Sequence, residues 1–352
     1  MLRFALMGCG RIAKRHSELL GNKQIAGAEL ACVCDVVPER AKAIGERFGV
    51  PWYADVATMM SEQSPDVVSI LTESGLHAEH VLQLAPYGKH LVVEKPMALT
   101  LADADRMIEA CQTAGIKLFI VKQNRFNVPV AKLREALDAD RFGRLVMGTV
   151  RVRWSRDQSY YDQDTWRGTW KLDGGVLTNQ ASHHIDLLEW MMGPVHSVFA
   201  RTATALVDIE TEDTAVVVLE FESGALGVIE ATTAVRPKDL EGSISLLGER
   251  GSVEIGGFAV NKLKVWNFVD VAPGDDTVME THSVNPPNVY GFGHQAYYEH
   301  VVDVIGSAAT MLVDGQGGRR SLELINAIYE SVETGKPVLV GSSSHVTRLG
   351  QR

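Results

Sequence analysis

Leu2-Arg3-Phe4-Ala5-Leu6-Met7-Gly8-Cys9-Gly10-Arg11-Ile12-Ala13 is the stretch that decides the fold. Leu2 to Met7 reads as a short apolar strand, two glycines follow at once, and a helix-like run continues through Leu20. In this Gly-x-Gly-x-x-Ala spacing Gly8 permits a tight turn and Gly10 lets an anion approach the backbone. Ala13 keeps helix and strand close, and the helix N-terminus, with Arg11 and Ile12 in its first turn, faces the anion.

The next apolar strand, Glu29 to Cys34, ends in Asp35, at the distance where a carboxylate accepts hydrogen bonds from a ribose diol. Val36, Val37 and Pro38 follow with no basic residue directly after the acid, which favours NAD over NADP; Arg40 argues the other way. A purely structural reading of Asp35 is a carboxylate that caps the following helix.

Working outward, strands and helices keep alternating. Val67 to Leu71 precedes a helix from His77 to Tyr87, His90 to Val93 precedes one from Leu101 to Ala114, and Lys117 to Val121 closes the series. That pattern predicts an α/β fold with a Rossmann-type, doubly wound parallel sheet, whose ligand lies outside the carboxyl ends of the strands. The segments there supply further cofactor candidates: Thr72, His77, Glu94, Lys95, Pro96 and Gln123.

From about Arg125 the pattern changes. One helix, Val128 to Leu137, leads into successive strands, including Leu145 to Trp154, Ala215 to Phe221, Ala225 to Thr232 and Ser243 to Leu247. Strands in series predict a second α/β domain with an open, mostly antiparallel sheet. The expected domains are 1–124 and 125–352. Arg151 and Arg153 share one strand face, read as solvent or a subunit interface.

Composition bounds the partners. At 352 residues with a formal charge of −10 and no run of Lys and Arg, the chain is not built for nucleic acid or an anionic membrane, and a small molecule is the expected partner. No apolar run approaches a membrane span and the chain opens directly on a strand, so the expected location is cytoplasmic. Four scattered cysteines point to free thiols and no metal site.

Asp173-Gly174-Gly175-Val176-Leu177-Thr178-Asn179-Gln180-Ala181-Ser182-His183-His184-Ile185-Asp186 carries the densest chemistry. Read as one amphipathic helix opened by the glycine pair, it sets Asn179, His183, Asp186 and Trp190 on one stripe, with Leu177, Ala181, Leu188 and Met191 opposite. His184 falls near the apolar arc and is expected to be half-buried with its hydrogen bonds satisfied. Just before it, Arg156 to Lys171 reads as a long irregular loop with Tyr160, Tyr161, Trp166, Arg167 and Trp170. Five basic and three acidic residues between Arg151 and Lys171 suit a diphosphate or carboxylate ligand, although a lid over the cofactor would read the same way. Tyr290, in a glycine-rich loop, is a further candidate to line the site.

Taken in order, the Gly8 turn, Asp35, Glu94-Lys95-Pro96 and the Gly-Gly segment with His183 resemble the glucose-fructose oxidoreductase, inositol dehydrogenase and rhizopine catabolism family (Gfo/Idh/MocA). The late Asp314-Gly315-Gln316-Gly317-Gly318-Arg319 and Thr334-Gly335-Lys336-Pro337-Val338 extend the resemblance over essentially the whole chain. It implies NAD as cofactor and a catalytic set of Lys95 and His183, with Asn179 standing where the family carries Asp. An amide cannot relay a proton, so this is a departure. Thr72-Glu73-Ser74 is another, since many relatives carry proline after the threonine.

Lys122-Gln123-Asn124-Arg125-Phe126, Trp166-Arg167-Gly168-Thr169-Trp170 and the Thr178 to His184 spelling are most similar to the sugar-nucleotide branch. That branch oxidises C3 of UDP-N-acetylglucosaminuronic acid for lipopolysaccharide sugars, and some members recycle NADH with 2-oxoglutarate. The resemblance implies Lys95, Asn124, Arg125, Arg156, Tyr160, Trp166, Arg167, Asn179, His183 and Tyr290 as substrate contacts and a homodimer or homotetramer. An inositol or free-sugar dehydrogenase and a non-catalytic NAD-bound regulator are the competing readings.

Alcohol oxidation requires a base for the hydroxyl proton. The ordinary pKa of Lys is about 10.4 against about 6.5 for His, so His183 needs almost no shift to serve near neutral pH, whereas Lys95 needs roughly three units. His183 is therefore the expected base and Lys95 a cation that polarises the hydroxyl.

Overall fold

The computed structural model describes residues 1–283, 292–307, 309–341 and 347–351. They form two compact units, one of Met1–Lys122 with His294–Arg320, the other of Gln123–Gly293 with Ser321–Arg352. The expected division into 1–124 and 125–352 cuts the chain once; the contacts cut it three times, because His294–Arg320 returns to the first unit before the chain re-enters the second.

In the first unit, strands β1 (Leu2–Met7), β2 (Ala28–Cys34), β3 (Trp52–Tyr53), β4 (Val67–Ile70), β5 (His90–Val93) and β6 (Leu118–Ile120) form one sheet in the order β3-β2-β1-β4-β5-β6. Every pairing is parallel. Such a sheet is covered on both faces, and β4 and β6 are buried at every residue. Helix boundaries follow local chemistry. Pro38 opens the helix Pro38–Phe48, which closes on Gly49 in the left-handed region, and Thr100 caps Leu101–Thr113 by accepting from the Asp103 amide at 3.1 Å.

In the second unit, β7 (Leu145–Arg153), β8 (Val195–Ala203), β9 (Thr214–Phe221), β10 (Leu226–Thr232), β11 (Glu241–Gly248), β12 (Gly251–Gly256), β13 (Lys262–Phe268) and β14 (Val338–Leu339) form a sheet in the order β13-β12-β11-β7-β10-β9-β8-β14. β7 and β10 pair in parallel and the other neighbours antiparallel. One face alternates into the core. The other carries Arg153, whose guanidinium forks onto Glu230 at 2.6 and 2.7 Å, and exposed Val216 and Val218.

The helix Ser182–Met192 lies on the inner face. It approaches β7 so closely that a Cβ on Gly148 would sit 2.7 Å from Met192 and 2.8 Å from Leu188. Among the described residues no helix is long and apolar enough to cross a membrane. All four cysteines are buried free thiols, Cys9 and Cys32 pushed up to about 12 by burial.

Candidate active site

In the first unit the turn after β1 has the shape the sequence predicts. Gly8 sits at φ +97°, and a Cβ there would lie 2.8 Å from the Leu71 carbonyl carbon and oxygen. Around Gly10, in contrast, a Cβ would meet nothing within 4 Å. The backbone is thus pressed against the sheet at one glycine and open at the other, which fits a dinucleotide passing over Gly10. Arg11 is exposed and Ile12 partly so.

Asp35 is 8% exposed, and its two oxygens accept from the Cys9 amide at 2.7 Å and the Val37 amide at 2.8 Å. It therefore ties the glycine turn to the start of the next helix. The N-cap of that helix is Val37, without a side-chain cap, and each Asp35 oxygen keeps further acceptor capacity for a ribose hydroxyl.

Beyond β4 and β5, His77 is wholly buried, with Nδ1 2.8 Å from the Pro96 carbonyl and Nε2 3.1 Å from the Thr72 carbonyl. Both neighbours are acceptors, so a neutral ring donates to one of them at a time; His77, expected at the cofactor, stands between the loops at Thr72 and Pro96. The Thr72 hydroxyl lies 2.8 Å from His80 Nδ1. The peptide bond between Lys95 and Pro96 is cis.

Glu94, also expected at the cofactor, meets protein groups with both carboxylate oxygens. It is 6% exposed, one oxygen accepts from the Lys95 amide at 3.0 Å, and the other lies 3.0 Å from His16 Nε2 and 3.8 Å from His294 Nε2. Burial alone would raise its carboxyl, but the hydrogen bonds and charges of His16 and His294 outweigh that and hold it well below the usual carboxylate range. The chain of contacts continues from His16 Nδ1 to the Tyr298 hydroxyl at 2.6 Å and on to Ser69 Oγ at 3.0 Å. Lys95 thus follows a residue anchored on two sides, and its own side chain is half-buried.

In the second unit the helix is shorter than its spelling suggests. It begins at Ser182, and residues 176–180 form turns between bends at Gly175 and Ala181, with Gly174 at φ +84° and an Ala181 amide that reaches the Val176 carbonyl at 2.8 Å. Asn179 therefore precedes the helix and shares no regular stripe with His183. Nor is the helix amphipathic toward solvent, since His183, Asp186, Leu188 and Met191 are all buried.

His183 Nε2 lies 2.9 Å from the amide nitrogen of Gln123, which makes that ring nitrogen an acceptor as the amide is placed. The amide oxygen of Gln123 has no hydrogen-bond partner; turning the amide end for end would give it the Nε2 proton and leave Nδ1 basic. Gln123, expected at the cofactor, neighbours the candidate base.

His184 is wholly buried with neither ring nitrogen hydrogen-bonded, its edge against Trp154, so the expectation of a satisfied, half-buried ring is corrected. Burial pushes it down to about 4.

Asn179 is half-buried and donates its amide nitrogen to Asp173. Arg125, expected at the substrate, forks onto Asp186 at 2.9 and 2.8 Å and lies over the Trp190 ring at 4.8 Å, which makes it an internal strut. Asn124 beside it is 8% exposed.

The segment read as an irregular loop contains a short helix, Gln158–Asp162, capped by Asp157. Arg156 and Arg167 lie over the Tyr160 ring at 5.4 and 4.9 Å, and Arg167 also lies over Trp166 at 4.5 Å while bonding Asp164 at 2.9 Å. Arg156 also bonds Asp239 at 2.9 Å, so each guanidinium is held between an aromatic face and a carboxylate. Tyr290 lies outside the described residues.

Sequence reasoning missed His16, Tyr298, Glu212 and Tyr329. His16 had a signal, since it shares an inward helix face with Ala13, Leu19 and Leu20. Glu212 had none, because Glu210-Thr211-Glu212-Asp213 reads as a solvated acidic run.

Residues 2–122 match the family model "Oxidoreductase family, NAD-binding Rossmann fold", and residues 134–340 match "Oxidoreductase family, C-terminal alpha/beta domain". The WlbA dehydrogenase from Bordetella pertussis, solved with NADH and UDP-GlcNAcA, is 42% identical with a TM-score of 0.93, over 97% of this chain and 98% of that one. The WlbA dehydrogenase from Chromobacterium violaceum, solved with the same two ligands, is 43% identical with a TM-score of 0.91, over 97% and 96%. Myo-inositol 2-dehydrogenase from Thermotoga maritima is 35% identical over 260 residues, 72% of this chain and 74% of its own.

Proposed function

The chain belongs to the Gfo/Idh/MocA oxidoreductase family, an NAD-dependent one, and from that premise we propose that it oxidises the C3 hydroxyl of UDP-N-acetylglucosaminuronic acid. The observation that carries this reading is the 42% and 43% identity, over nearly whole chains, to two dehydrogenases solved with NADH and UDP-GlcNAcA. Arg156 and Arg167, each fixed on an aromatic face beside a carboxylate, support it as preplaced donors for the diphosphate and carboxylate that a sugar nucleotide brings. Use of the product for lipopolysaccharide sugars and recycling of the cofactor with 2-oxoglutarate belong to the same proposal.

NAD held by the Gly8 turn, Gly10 and Asp35 supplies the hydride acceptor. His183 takes the hydroxyl proton, and Gln123 sets which ring nitrogen is basic. Lys95 stays cationic and stabilises the incipient alkoxide, while Asn179 orients the sugar. The outer face with Val216 and Val218 is the surface on which a homodimer or homotetramer would form.

The test is near-ultraviolet absorbance of the protein at stoichiometric concentration with NAD. Adding UDP-N-acetylglucosaminuronic acid should raise the reduced-nicotinamide band, and 2-oxoglutarate should then lower it. A flat trace with this substrate alongside a rise with inositols or free sugars would move the assignment to those alcohols. His183→Ala should lose roughly 100-fold or more in kcat, the range expected for removing a positioned base. An H183A protein that kept most of its activity while Lys95→Ala lost it would exchange the two roles.

A further inference from the structure

Asp173 is 2% exposed, and its two oxygens are both used: one accepts from the Gly168 amide at 2.9 Å and the other from the side-chain amide of Asn179. A carboxylate only accepts hydrogen bonds, so the end of the Asn179 amide that faces it is the nitrogen, and the other end is the carbonyl oxygen. Asn179 thereby offers the same kind of atom that an aspartate at this position would offer. The turn is held from below as well. Buried Glu212 accepts from the Leu177 amide at 3.0 Å and from Tyr329 at 2.9 Å, and the Tyr329 hydroxyl meets Thr178 Oγ1 at 2.9 Å.

We propose that Asp173 is a positioning residue that fixes the Asn179 amide so that its oxygen accepts a hydrogen bond from a substrate hydroxyl. A second carboxylate at 179 would place two like charges at hydrogen-bond distance, so an amide at 179 and an acid at 173 belong together. This inference rests on the assignment of Asn179 to the substrate made above.

The test compares wild type, D173N, N179D and D173N/N179D, each with its melting temperature, kcat and KM, in the NAD-reduction assay. Losing a charge-assisted hydrogen bond should lower kcat of D173N by roughly 10- to 100-fold while the KM for NAD stays within about twofold. N179D should also fall, and its kcat should acquire a new pH dependence from two carboxylates sharing a proton. The double variant restores one acid and one amide with their places exchanged, and should recover to within about threefold of wild type.

Wild-type kcat in D173N, or a double variant no better than the product of the two single losses, overturns the proposal. If D173N does not fold, repair of N179D by the second substitution is still read directly. A wild type that reduces NAD with another polyol but not with the UDP-sugar overturns the substrate assignment alone, and the four proteins are then compared on that polyol. Silence of wild type with every alcohol overturns both.

Discussion

Glu212 is the residue whose surroundings most change its chemistry. It is wholly buried, one carboxylate oxygen has no hydrogen-bond partner, and a Cβ on Gly175 would come within 2.3 Å of it. Burial, reinforced by Asp173, raises its carboxyl to about 7 against the lowering effect of the Leu177 amide and Tyr329. The native state therefore binds a proton that the unfolded chain releases above its ordinary pKa near 4.5. By linkage this contribution to stability is complete below about 4.5 and is lost as pH rises through about 7, roughly 3 kcal/mol in all. Glu212→Gln should remove that slope, and denaturant midpoints of the two proteins between pH 4.5 and 7.5 should converge at the acid end and diverge at the neutral end. A constant difference across the window would contradict it. His184 acts with the opposite sign: its folded pKa is pushed down to about 4, so its contribution is lost as pH falls from about 6.5 toward 4. Gly8, Asp35, Lys95 and His183 stand out in the sequence as candidates because local spacing and order mark them. Glu212, His16 and Asp173 owe their roles to partners 30 to 280 positions away or to a turn whose geometry no period announces.

At the scale of elements, five of the six parallel strands were legible because turns and helices separate them; β3, Trp52–Tyr53, is only two residues long and was not. The segment from Gly174 to Ala181 was not, since the helical period continues through it while the backbone turns off at Gly174 and pairs with Glu212 instead. The glycine turn after β1 separates two jobs that one motif hides. Gly8→Ala combines an unfavourable positive φ with a Cβ 2.8 Å from the Leu71 backbone, which should cost about 2 kcal/mol or more and lower the melting temperature by several degrees. Gly10→Ala meets no atom within 4 Å, so the protein should melt as wild type does, yet the methyl group stands where the dinucleotide passes and should weaken NAD binding roughly 10-fold. Melting curves with and without NAD separate the two effects. Equal melting loss in both variants would place the second glycine against protein instead of cofactor.

At the scale of the whole chain, the division expected at residue 124 overlooks the return of His294–Arg320 to the first unit. Nothing local marks that return, because the helix Gly293–Gly306 reads as an ordinary amphipathic segment of whatever domain precedes it. Its contribution is large. Tyr297, Tyr298, Val301 and Val304 are each no more than 1% exposed, Tyr298 packs edge-on against Phe4 of β1 with ring centres 5.4 Å apart, and its hydroxyl joins His16 to Ser69. At about 1.5 to 3 kcal/mol for each large buried side chain, these four residues supply roughly 6 to 12 kcal/mol, which is comparable to the whole stability of an ordinary domain. A fragment of residues 1–124 should therefore lack a cooperative melting transition, bind a dye for exposed apolar surface and fail to bind NAD, although it contains the complete fingerprint. Joining residues 293–320 to it through a flexible linker should restore a sharp transition and NAD binding together, and the same fusion carrying Tyr298→Ala should restore neither. Cooperative melting and NAD binding by the 1–124 fragment alone would show that the six strands suffice and that the returning helix is an accessory.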